Sequence, residues 1–322
     1  MLYKHKKFCY GILQENVFAR EDLFFLGEKM EFRILKYFLA VAREQTFLGA
    51  AEALHVTQPT LSRQIQDLED ELGKTLIIRG GRKISLTEEG MLFRKRAEEI
   101  CELVEKTQNE ISDSDATEIV GDIFIGAGET SVVRWLAKAA RAVQEKHPAV
   151  HFKISSDDAF DTIENLDKGL LDFALVFTPL DIEKYNCLEL EDKPIWGLLL
   201  RKDNPLCEKD FITDDDLQKI PLMVSRQIED NDATKKWLGK RLPELNIIGT
   251  YNLLYNASLF VQEGFASVLC IDGVINTKGT DLVFRPLQNQ RESRLCVIWK
   301  KYQAMTKAAT VFLQELQKGM KV

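Results

Sequence analysis

Residues 46–73 read TFLGAAEALHVTQPTLSRQIQDLEDELG. The stretch divides into two helices joined by a tight turn at His55-Val56-Thr57. The first helix carries Leu48, Ala50, Ala51, Ala53 and Leu54, and its small residues let another helix approach closely. Thr57 is a good N-cap for the second helix, and Pro59 falls in the first turn, where a missing N–H costs little. Leu61, Ile65, Leu68 and Leu72 then recur at spacings of four, three and four, a single apolar stripe at helical period.

The opposite face holds Gln58, Thr60, Ser62, Arg63, Gln66 and Asp67. Gln58 to Arg63 fill the first turns, the part of a recognition helix that reaches base edges. Gln and Arg make bidentate contacts with adenine and guanine in a major groove. Thr60 and Ser62 bond phosphates, and the backbone N–H groups of a helix start favour an anion. An ordinary helical hairpin with a solvated face shows the same stripe, so Gln58, Pro59, Thr60, Ser62 and Arg63 are candidates for DNA reading that need their neighbours as support.

A helix from about Phe32 to Gln45 precedes the stretch. Its Leu35, Phe38, Leu39 and Ala42 are expected to pack on Ala50, Leu54, Leu61 and Ile65 as a three-helix core. After Gly73, the segments 76–78 and 83–86 read as short strands around Arg79-Gly80-Gly81-Arg82, and Gly-Gly is a hairpin signal. A tip with Arg79, Arg82 and Lys83 suits phosphates or a minor groove, although exposed basic turns are common. Thr87 and two acids then open a long helix. In it Phe93, Ala97, Ile100, Val104, Thr107 and Ile111 recur as a heptad seam.

Residues 111–118, ISDSDATE, form a polar hinge, after which strands and helices alternate. Strands are expected at 121–126, 151–155 and 172–177. Thr130 or Ser131 caps the first intervening helix, and the second covers 158–169. That is a βαβαβ order, hence a parallel sheet. A second α/β unit covers about 206–272, with strands at 221–225 and 268–271. The segment 282–301 returns as strands, and 305–316 is a closing helix.

Residues 31–113 resemble the N-terminal region of LysR-type transcriptional regulators. The matching residues are Phe38, Ala42, Phe47, Ala50, Ala51, Leu54, Gln58, Pro59, Ser62, Ile65, Leu68, Glu69, Leu72 and Gly73, followed by Arg79, Leu86, Thr87 and Gly90 at the family's spacing. The stretches Gly121-Asp122-Ile123 and 166–175, LDKGLLDFAL, match elements of the family's effector domain. The resemblance covers about residue 31 to the C-terminus.

It implies an α/β chain with an N-terminal winged helix-turn-helix, a linker helix that pairs between subunits, and a two-lobed effector domain like a periplasmic binding protein. It implies parts at 30–88, 89–118 and 119–322. The expected partners are double-stranded DNA carrying an interrupted palindrome, a small-molecule effector, and further copies in a homodimer or homotetramer. One departure concerns 263–268, where many members have a second Gly in place of Ala266 or Phe265. Members begin close to Met30, so the expectation is that translation starts there and that 1–29 is an untranslated or disordered extension.

Ligands of open α/β sheets bind beyond the carboxyl ends of the strands. Those ends are 128–131, Thr178-Pro179 and 225–227. Thr130 and Ser131 sit at a helix start suited to an anion, or are simply its caps. Thr178 and Ser225 complete the candidate effector site, and Arg226 offers a charge-assisted bond. Glu129 repels an anion or pairs a ligand amine.

Two rivals exist. Gly126-Ala127-Gly128-Glu129-Thr130-Ser131 approaches the dinucleotide fingerprint of an enzyme, with Asp157 placed to hold a ribose, but Ser131 stands where the third glycine belongs. A thiol-based redox regulator would use Cys187 and Cys207, though most such thiols are inert. Neither displaces the regulator reading, in which the chain is not an enzyme and needs no cofactor.

Composition agrees. The chain has 322 residues, 45% hydrophobic and 29% charged, with net charge −7. Residues 30–96 carry 11 basic and 9 acidic side chains, whereas 97–118 carry one Lys and eight acids. The electrostatic footprint for DNA therefore comes from placement rather than total charge. Six scattered Cys and four His show no ligand spacing for a metal. Scattered reduced cysteines fit the cytoplasm. No apolar run reaches eighteen residues, so no membrane span is expected.

Overall fold

Helix α1 (Phe32–Glu44) buries Ile34, Phe38 and Val41 on one side. Helix α2 (Phe47–Ala53) starts at Thr46, whose hydroxyl accepts the Gly49 N–H at 3.1 Å. The turn is made by His55 in the left-handed region, at φ 55°. Helix α3 (Gln58–Leu72) starts at Thr57, which accepts the Thr60 N–H, and stops at Gly73 with φ 61°. Ile34, Phe38, Val41, Ala50, Leu61 and Ile65 share one core. Leu35 and Leu39 do not join it. They lie one position round α1 and pack with Phe93, Ala97 and Cys101 of the long helix, so α1 is covered on two sides.

This is a computed structural model, and it describes residues 30–80, 83–114, 118–178, 183–227, 245–290 and 294–320. The extension at 1–29, the wing tip at Gly81 and Arg82, and Pro179 lie outside them. Two compact units are formed, one up to Glu105 and one from Lys106. In the first, β1 (Ile77–Gly80) and β2 (Lys83–Leu86) pair antiparallel, with Gly80 opposite Lys83. Arg79 is thus inside a strand rather than in the tip.

Helix α4 (Glu88–Ser114) spans the expected linker. The Thr87 hydroxyl accepts the Gly90 N–H at 2.9 Å. Gly90 is obligatory, because a Cβ there would lie 2.1 Å from the Leu76 carbonyl oxygen. The expected heptad seam divides. Phe93 and Ala97 face their own unit with Cys101, whereas Ile100 is 44% and Ile111 66% exposed. Leu35 and Leu39 of α1 cover the side of Phe93, Ala97 and Cys101 and leave Ile100 beside it open.

In the second unit, β3 (Gly121–Ala127), α5 (Val133–Lys146), β4 (Val150–Ser156), α6 (Ala159–Asp167) and β5 (Phe173–Thr178) alternate. Strand β6 (Tyr185–Leu190) follows. The chain then crosses to β7 (Trp196–Arg201), α7 (Asp214–Leu217), β8 (Leu222–Ser225), β9 (Ile247–Tyr251), α8 (Leu254–Gln262), β10 (Ser267–Ile271) and β11 (Leu282–Pro286). It returns as β12 (Arg294–Lys300) and ends with α9 (Lys307–Gly319).

Two five-stranded sheets result, ordered β4-β3-β5-β12-β6 and β11-β7-β10-β8-β9. In the first, β3 is parallel to β4 and β5, and β12 is antiparallel to both neighbours. The two returning strands, read from sequence as one set, are therefore split between lobes. The inner faces are Ile123, Ile125, Phe173 and Phe312 in one lobe, and Leu198, Leu222 and Leu269 in the other. The lower end of α4 is tied to the first lobe by buried Lys106. Its ammonium meets Asp172 at 2.8 Å and lies 4.7 Å from the centre of the Phe124 ring, while Asp172 also accepts the Phe124 N–H.

Candidate nucleic-acid interface and interlobe cleft

The first turns of α3 present Gln58, Pro59, Thr60 and Arg63 to solvent, with Ser62 half-buried. Leu61 and Ile65 hold the other face in the core, so the helix that carries these side chains is fixed by packing. The Thr60 and Thr57 hydroxyls are 2.8 Å apart, which orients Thr60 locally. Arg63 makes no ion pair among the described residues.

Farther along the helix, buried Glu69 receives the N–H groups of Leu76 and Ile77 at 2.7 and 2.9 Å. Its other oxygen lies 3.4 Å from Arg79. Arg79 also donates to Gln66 at 3.0 Å and stacks on the Phe47 ring at 5.4 Å. A buried carboxylate needs such partners to offset lost hydration. Arg79 therefore fastens the wing to the recognition helix instead of standing at the wing tip. Lys83, which opens β2, is exposed; Arg82 lies outside the described residues. Glu69 was not a predicted site residue. Its signal in sequence was an acid set beside the stripe of Ile65, Leu68 and Leu72.

In the second unit, Thr130 and Ser131 end the turn after β3, Thr178 ends β5, and Ser225 and Arg226 end β8. Neither hydroxyl caps α5 as expected. Its N-cap is Val132 without a side-chain bond, and Thr130 accepts the Val132 N–H at 3.3 Å in the preceding turn. Ser131 faces the other lobe, where Gly273, at φ 77°, backs onto it.

Arg226 is not free for a ligand anion. It binds Asp158 through Nε and Asp161 through Nη2, both on the first lobe. Asp158 is buried and caps α6, accepting the Phe160 and Asp161 N–H groups at 3.0 and 3.1 Å. Glu129 crosses the cleft in the opposite sense and accepts the Leu254 N–H at the start of α8. Neither ion contact is local in sequence, and neither was foreseen.

The rival chemistries lose support in the geometry. After Gly128 the chain makes a turn before α5, so the strand does not lead directly into a helix start as the dinucleotide fingerprint requires, and the Glu129 carboxylate accepts the Leu254 N–H. Cys187 and Cys207 lie in different lobes. The Cys207 thiol donates to the Arg201 carbonyl at 3.2 Å, and the Cys187 thiol is free of a disulfide and hydrogen-bonded to the Cys296 thiol on the adjacent strand. Burial pushes the Cys296 thiol up to about 12, far from a reactive thiolate. Among the described residues no group of three or more His, Cys, Asp and Glu is placed to hold a metal, and no helix is long and apolar enough to cross a membrane.

Comparisons with known proteins agree along the chain. Residues 32–91 match the family described as bacterial regulatory helix-turn-helix protein, lysR family, and residues 116–321 match the LysR substrate binding domain. The Hca operon transcriptional activator HcaR of Escherichia coli (strain K12) is 31% identical over 281 residues, covering 84% of this chain and 92% of that protein. The HTH-type transcriptional regulator BsdA of Bacillus subtilis (strain 168) is 32% identical over 200 residues, 62% of this chain and 68% of that one. Among solved structures, the LysR family transcriptional regulator CbnR superposes with a TM-score of 0.70 at 22% identity, covering 91% of this chain and 100% of that chain. Full-length CbnR complexed with its target DNA gives 0.68 at 22% identity, covering 90% and 99%.

Proposed function

The chain belongs to the LysR family of bacterial helix-turn-helix transcriptional regulators, and we propose that it reads an interrupted palindrome as a homo-oligomer under control of a small molecule held between its lobes. Gln58 and Arg63 contact base edges, Pro59 keeps the helix entrance free of a donor, and Thr60 and Ser62 bond phosphates. Arg82 and Lys83 touch the backbone from the wing, and Arg79 positions that wing. The observation that carries this reading is the exposed polar face on the first turns of α3, held rigid by its buried opposite face.

Three functional parts follow: residues 30–88 bind DNA, 89–118 join subunits, and 119–322 sense the effector. The exposed apolar residues of α4, Leu92, Ile100 and Ile111, support pairing between copies. Thr130, Ser131, Thr178 and Ser225, at the carboxyl ends of parallel strands, support an effector site in the cleft. The site of action is the cytoplasm, where the DNA is.

Arg63→Ala tests the interface. It is expected to weaken operator binding by about 1–3 kcal/mol and to relax preference at one base-pair position. Unchanged sequence preference in a mobility-shift series over single-base operator variants would remove Arg63 from the reading surface.

A further inference from the structure

We propose that Glu129 determines the charge of the effector: its carboxylate is a built-in occupant of the anion position at the start of α8, so the cleft takes an organic cation and refuses a carboxylate. This rests on the reading of the cleft as the effector site.

Helix α8 begins without a cap of its own. Its N-cap, Leu253, offers no side-chain acceptor, and the first N–H, on Leu254, is taken by Glu129 of the other lobe. A helix N-terminus carries partial positive charge and would otherwise hold a ligand anion. The second such terminus, that of α6, is likewise filled from within, by Asp158. Arg226, the cation at the end of β8, is spent on Asp158 and Asp161.

Among the described residues that make these contacts between the lobes, three carboxylates thus stand against one guanidinium. An anion entering must strip Glu129 from Leu254 and Arg226 from its aspartates, and then lie beside the released carboxylates. A cation meets the opposite field, with the hydroxyls of Thr130, Ser131 and Ser225 as acceptors. Selection of this kind works as much by repelling the wrong charge as by holding the right one.

The test compares benzylamine with benzoate, which share a ring and differ in charge, on the full chain and on Glu129→Ser. Binding is followed by tryptophan fluorescence, since Trp196 of the second lobe lies 6.5 Å from the Phe177 ring of the first. Amide hydrogen exchange maps the site. The wild-type chain is expected to bind benzylamine at least ten-fold more tightly than benzoate. In Glu129→Ser the opened α8 terminus reverses the order, and exchange at Leu254 quickens in the free protein.

Preference for benzoate in the wild type, an unchanged preference in the variant, or no binding of either probe to either protein would overturn the role of Glu129. Binding with exchange protection away from the cleft, and none at Ser131 or Leu254, would instead overturn the reading of the cleft as the effector site.

Discussion

Replacing Glu69 by Ala leaves the N–H groups of Leu76 and Ile77 without their acceptor, and Arg79 without its carboxylate. Each orphaned buried donor costs about 1–3 kcal/mol. Glu69→Ala is therefore expected to lower stability by roughly 2–5 kcal/mol in urea unfolding, and to loosen the wing even where the chain stays folded. A loss below about 1 kcal/mol would mean that water replaces the carboxylate at little cost. The same residue marks how far single side chains were legible. The polar face of α3 was readable because periodicity alone separates Gln58, Thr60 and Arg63 from Leu61 and Ile65. Arg79 was misassigned because its place before Gly-Gly suggests a turn, whereas its partners Phe47, Gln66 and Glu69 are brought to it by the fold. Arg226 failed likewise: a lone arginine at a strand end looks available until Asp158 and Asp161 arrive from 65 or more residues away.

At the scale of the element, helix starts were legible and helix faces were less so. Thr57 and Thr87 cap where expected because a cap is a bond to a donor two or three residues on, whereas neither Thr130 nor Ser131 caps α5, and Asp158, read as the first residue of its helix, is the cap of α6. Helix α4 shows the converse. One apolar pattern served two surfaces: Phe93 and Ala97 begin both the buried row that continues to Cys101 and the row that continues to exposed Ile100, and only the neighbouring α1 decides between them. The division has a consequence. Ile100 is exposed although it lies in the apolar pattern, so Ile100→Glu should leave folding intact and weaken self-association. Sedimentation velocity over a dilution series is expected to show the variant dissociating at a protein concentration at least ten-fold higher than the wild type. An unchanged profile would take Ile100 out of the subunit contact. Ala97, one turn earlier and buried against Leu35, is no substitute for this test, since charge there would disturb the unit itself.

For the molecule as a whole, the alternation of strand and helix was enough to give two α/β lobes, but not to assign their last strands. The segments forming β11 and β12 are adjacent in sequence and enter different sheets, a partition set by pairing with β7 and with β5 and β6. The return crossing joins the lobes a second time, after the β6-to-β7 passage, and two strands of chain make a hinge where one would make a tether. The cleft beside it is closed by ions that each lobe lends the other, Glu129 in one direction and Arg226 in the other. A ligand that alters those contacts alters the angle between lobes by its differential affinity for the two arrangements.

The most direct measurement is binding of the full chain to the DNA upstream of its own gene and of a random sequence, over a salt series. Tight binding to the first alone, weakening steadily as salt rises and weakened by about 1–3 kcal/mol in Arg63→Ala, is the expected result. Weak binding, equal on both DNAs and indifferent to Arg63, would contradict the assignment of α3 as the reading helix.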